Sequence, residues 1–132
     1  MASDGRDGDT NESKVIKIVG DLLHLQLEFA VDGDVIPQKA MDDYSIGYVV
    51  GFVTPFLDRL KIDNEGAAFG VITCVFMALF GQEAGPDLAG RFLNVQQTKP
   101  AYDGQMRGGN DAIAWLRDQQ KMPGGWFEHI KA

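Results

Sequence analysis

The sequence has one cysteine, Cys74, so it forms no intrachain disulfide and cannot assemble a cysteine-based zinc site, which suits a reducing compartment. It also lacks any cluster of basic residues. Twelve Lys and Arg stand against nineteen Asp and Glu, for a formal net charge of −7. Affinity for a phosphate backbone comes from grouped cations displacing counterions, so a nucleic-acid partner is not expected. Long apolar runs are missing as well. The uncharged stretches Tyr44 to Leu57 and Gly66 to Gln82 fall short of the roughly 20 residues that cross a bilayer, and glycine, threonine or proline dilutes each. No membrane span is therefore expected. The opening residues, Met1-Ala2-Ser3-Asp4-Gly5-Arg6-Asp7, have neither the basic start nor the apolar stretch of a signal peptide, and a cytoplasmic protein is the expectation.

Recognisable catalytic chemistry is equally scarce. There are two histidines, His24 and His129, and no Ser, Cys or Lys sits in a known nucleophile context. His24 lies one helical turn from Glu28, a spacing that reads as an exposed pair, and Cys74 reads as an inert thiol in an apolar run. The adjacent acids Asp42 and Asp43, and Glu83 with Asp87, read as helix caps. No catalytic residue, metal ligand or cofactor follows from such a pattern, and an enzyme is not the favoured class.

What is present is enough apolar material, 45% of 132 residues, for one core. Residues 1–13 hold Asp4, Asp7, Asp9 and Glu12 against Arg6 alone and have almost nothing to bury, which predicts a disordered acidic tail before a helical domain over 14–132. From Lys14 to Ala30, Lys14, Lys17, Asp21, His24 and Glu28 form one polar stripe opposite Val15, Ile18, Val19, Leu22, Leu23 and Leu25, with Ser13 as cap; only Gln26 fits poorly. The alternation of Leu23, Leu25, Leu27, Phe29 and Val31 also permits an α+β fold with a β-hairpin in residues 14–36. The helix accounts for more of the charges. A second helix is predicted from about Asp43 to Ile62 with Pro55 kinking it, and a third after Asp63-Asn64-Glu65-Gly66 up to Phe80, ending at Gly81. A fourth runs from about Asp87 to Gln97. A Gly-rich loop over Lys99 to Asn110 then precedes a fifth helix, Asp111 to Lys121, with Ile113 and Leu116 inward, and Trp126, Phe127 and Ile130 dock the C-terminus. The expected fold is all-α, a compact bundle of about five helices around the apolar third one.

Two features invite a functional reading. Small residues at four-residue spacing, Gly47 and Gly51 on the second helix and Gly66, Gly70 and Cys74 on the third, make flat faces on which two helices can approach within the usual interaxial spacing of roughly 8–10 Å. These faces are expected to pack against each other or across a homodimer. The second feature is the 100–110 loop, where Arg107, Gly108, Gly109 and Asn110 stand before the fifth helix and would offer an anion a positive helix end. The composition, the flat faces and the aromatic C-terminus point to a non-enzymatic protein-interaction or adaptor domain with a protein partner or a second copy of itself. The alternative is a small-molecule or anion-binding protein, conceivably an enzyme, using the 100–110 loop.

Overall fold

In the computed structural model, residues 10–132 are described, and six α-helices but no strand are found among them. They are α1 (Asn11–Ala30), α2 (Asp43–Arg59), α3 (Glu65–Phe80), α4 (Ala84–Val95), α5 (Lys99–Arg117) and α6 (Gly125–Lys131), with a 3-10 turn over Gln38–Met41. The expected tail lies outside the described residues up to position 9. Its last residues form the opening turn of α1, capped by the Thr10 hydroxyl accepting from the Ser13 amide, so Ser13 is inside the helix and not its cap. The alternative β-hairpin over 14–36 does not form. Asp32 and Val35 make one isolated antiparallel bridge, across a turn in which Gly33 has φ 77°.

The caps follow side-chain chemistry. Asp42 accepts from the Ser45 amide at the start of α2, Asn64 from Ala67 at the start of α3, and Thr98 from Ala101 at the start of α5. α3 ends at Gly81 with φ 98°, a backbone conformation that costs glycine little. α2 continues through Pro55 to Arg59.

All six helices and the 3-10 turn contribute to one apolar cluster, but its axis is α2 and not α3. Eleven residues of α2 are buried, among them Tyr48, Val49, Phe52 and Val53 with no exposed surface. α3 buries only Val71, Ile72, Val75, Phe76 and Leu79, and Gly66, Phe69, Gly70 and Cys74 face water. The apolar third helix is thus a wall of the bundle. Hydrophobicity around its whole circumference does not make it central, because its exposed arc consists mainly of small side chains with little area to hide.

The 100–110 segment is the second departure. It is not a loop; Lys99 to Arg117 is one continuous helix, α5, despite Gly104, Gly108 and Gly109. Its interior glycines each forfeit about 1 kcal/mol of helix propensity, and the partner helix supplies the compensation. α5 buries Ala101, Gly104, Gly108 and Ala112, one small residue per turn, directly on α2. The two helices run parallel: a Cβ at Gly47 would meet the Ala101 backbone, at Gly51 that of Gln105, at Gly104 those of Tyr44 and Tyr48, and at Gly108 those of Tyr48 and Phe52. Backbone against backbone gains dispersion contacts and weak Cα–H to carbonyl contacts that any side chain would prevent. The expected pairing of the Gly47-Gly51 face with Gly66, Gly70 and Cys74 is therefore corrected. Gly47 and Gly51 do pack closely, but on α5, while none of the described residues lies within 4 Å of a Cβ placed at Gly70. The inward residues proposed for a fifth helix change likewise, since Ile113 is exposed and Leu116 half-buried.

Candidate functional site

Close approach of α2 and α5 brings polar groups together that no sequence spacing joins. The Tyr48 hydroxyl donates to Asp111 Oδ2 at 2.6 Å and accepts from Gln26 Nε2 at 3.1 Å. Gln26 Oε1 accepts from the backbone amides of Trp126 and Phe127, each at 3.0 Å, and Asp111 Oδ2 from that of Gly125 at 2.9 Å. α6 has Gly124 at its cap position with no capping side chain, so its free first-turn amides are satisfied by side chains of α1 and α5 instead. Gln26, the residue that fits α1 poorly as an amphipathic helix, is 4% exposed for this reason. Burial, and then the hydrogen bond to Asp111, raise the Tyr48 pKa well above the ordinary tyrosine value. The arrangement is a clasp for α6, closed by Arg107 between Asp111 at 3.0 Å and Glu128 at 3.4 Å. A Cβ at Gly125 would stand 2.6 Å from both Arg107 Nε and Asp111 Oδ2, so a larger residue there would push these clasp side chains aside. Trp126 is fully buried against Tyr48 and Phe80, its indole nitrogen without a hydrogen-bond partner among the described residues.

The anion site proposed at Arg107, Gly108, Gly109 and Asn110 is not the start of a helix. These residues lie in the middle of α5, where backbone amides bond to carbonyls of the preceding turn, and Gly108 is buried on α2. Arg107 is held by Asp111, whose hydrogen bond raises its pKa, and it faces Glu128 as well. The helix dipole that would have favoured an anion is therefore about two turns away, and the cation is engaged.

A cleft of about 660 Å³ lies between the N-terminal ends of α2 and α5 and the C-terminal end of α6. His129 lies in it with Nε2 donating to Asp42 Oδ2 at 2.8 Å, its ring stacked on Tyr44 with centroids 4.2 Å apart. Arg91 pairs with Asp43 at 3.0 Å and Lys99 with Asp103 at 2.8 Å along the same walls. Each cation in the cleft already holds a carboxylate. His129 thus has a partner that sequence reasoning did not supply, while His24 pairs with Glu28 at 2.9 Å on the outer surface, as their spacing implies.

A different surface is uncovered. Alongside its buried face, α1 carries a second apolar stripe at steps of four, three and four residues, Ile18, Leu22, Leu25 and Phe29, of which Leu22 is half-buried against the core and the other three are exposed. Such steps keep side chains on one side of a helix. Leu25 is 41% exposed and Phe29 72%. Past Leu25 and Phe29 the stripe forms one wall of a groove of about 370 Å³ whose other wall is Met122, Pro123 and Phe127, from the connector and α6. Met122 is 54% exposed. The clasp builds this groove, because Gln26 lies in its lining and holds α6 beside α1. Among the described residues, no group of His, Cys, Asp or Glu is placed to hold a metal ion, and no helix is long and apolar enough to cross a membrane. No family model, curated protein or solved structure matches the chain.

Proposed function

We propose that this protein is a non-enzymatic interaction domain that receives an apolar segment of another protein in the groove between α1 and α6. The observation that carries the proposal is the uncovered α1 stripe: large apolar side chains in register along a helix, continued by Met122 and Phe127 into one concave surface. Helix-in-groove recognition uses anchors at this spacing. Exposed apolar residues are ordinary when scattered, but a contiguous set lining a groove marks a contact surface. The cleft around His129 supports the small-molecule alternative less well, since Arg91, Lys99 and His129 each stand beside an aspartate and present no uncompensated cation to a ligand.

The test compares immobilised wild type with Phe29→Ser in an extract of the source cells. Phe29 lies on the surface, so the variant keeps its fold, verified by circular dichroism. Proteins retained by the wild type and lost by the variant support the proposal; identical recoveries from both would refute it.

A further inference from the structure

The charges beside the stripe restrict what can occupy it, and we infer that the partner element is a basic amphipathic helix, not a second copy of this chain. This inference rests on the groove being an interaction surface. Taking the stripe as a helix-pairing seam, the positions that flank it on its open side are Asp21 and Glu28, both acidic and both exposed. The opposite flanking positions, Val19 and Gln26, are buried in the fold and unavailable to a newcomer. Asp32 and Glu128 are exposed as well, held by Lys131 and by Arg107 of the clasp. Lys17 and His24 each contact one of the α1 acids, yet both pairs are largely solvent-exposed and exchange partners at little cost. Both flanking positions on the open side of the stripe are therefore carboxylates that a lysine of the partner can reach.

A second copy docking antiparallel would set Asp21 and Glu28 against their own counterparts, and one docking parallel would need Val19 or Gln26 as its contact. Residues 1–9, whose apolar content ends at Ala2, offer nothing to fill the groove from within the chain. A helix with leucines at steps of three and four and lysines beside them satisfies both the apolar wall and the acidic rim.

The experiment uses the full chain and three labelled synthetic helical peptides of equal length, followed by fluorescence anisotropy at low and moderate salt. One peptide carries patterned leucines with lysines, one the same leucines with glutamates, and one the lysine composition with its leucines scrambled. The lysine peptide is expected to bind at least about tenfold more tightly than the glutamate peptide, and more weakly as salt rises. Phe29→Ser and, separately, Leu25→Ser should each weaken it at least about tenfold, as loss of an anchor does. Equal affinity for the lysine and glutamate peptides would overturn the basic partner and leave the groove reading standing. Equal affinity for patterned and scrambled lysine peptides, or no binding of any peptide, would overturn the groove reading itself. A wild-type dimer that Phe29→Ser converts to monomer would overturn the choice of partner in favour of a second copy.

Discussion

Replacing Gly108 by alanine puts a methyl group against the Tyr48 carbonyl oxygen and 2.9 Å from the Phe52 amide nitrogen, whereas ordinary contacts begin at 3.4 Å. Both obstacles are backbone, so no rotamer change relieves them and α2 and α5 must part by about 1 Å. Overpacking of this kind costs about 1–3 kcal/mol. Parting the helices also stretches the 2.6 Å bond from Tyr48 to Asp111, a charge-assisted contact worth roughly another 1 kcal/mol. Alanine returns about 1 kcal/mol of helix propensity, leaving Gly108→Ala less stable than wild type by about 1–3 kcal/mol. Gly70→Ala is the internal control. That glycine is also mid-helix, with none of the described residues within 4 Å of its would-be Cβ, so the substitution should stabilise by about 0.5–1 kcal/mol. The difference corresponds to roughly 10 °C between the two variants in a thermal melt followed by circular dichroism. If Gly108→Ala melted at or above Gly70→Ala, the backbone packing of α2 on α5 would be refuted.

Gln26→Leu removes the acceptor of the Trp126 and Phe127 amides and should destabilise by about 2–4 kcal/mol, with those two amides exchanging hydrogen far faster; unchanged protection would show that α6 is held otherwise. The raised Tyr48 pKa means that the folded state keeps a proton which the unfolded chain gives up near pH 10, so its contribution is complete below that value and is lost progressively above it. Stability measured by urea unfolding should accordingly fall as pH rises past about 10, and more steeply in wild type than in Tyr48→Phe; parallel profiles would contradict this. Cys74 faces solvent and should react with a thiol reagent in the native protein, one equivalent per chain, whereas a thiol seen only after unfolding would mean that α3 is turned the other way.

Much of the helical layout follows from local chemistry. Asn64 and Gly81 bracket α3 where the sequence predicts, Asp42 caps α2, and the polar stripe from Lys14 to Glu28 makes α1 a helix even though its leucines alternate in a strand-like way. Trp126 and Ile130 dock as their bulk implies. α5 was readable in principle: Ala101, Gly104, Gly108 and Ala112 recur once per turn behind the capping Thr98, but glycine's weak helix propensity argues for a loop when the segment is taken alone. The anion site at Arg107 to Asn110 fails with that loop, for it required a helix to begin where one is already in mid-course.

Other features depend on which helices meet. Flat faces on α2, α3 and α5 are visible in the residues, yet a small side chain shows only that a close approach is permitted; the fold decided that α2 meets α5 and left Gly70 in water. The same contact sets Tyr48 beside Asp111, sixty-three positions apart, and the docking of α6 sets Trp126 on Gln26, one hundred apart. Sequence by itself determined the helical class, the end of α1, the start of α2 and both ends of α3, because caps, breakers and side-chain periodicity act over a few residues. Only the tertiary structure decided which apolar side of α1 stays bare, because that depends on where α6 comes to rest, and it rests on polar bonds from distant helices that no local pattern encodes.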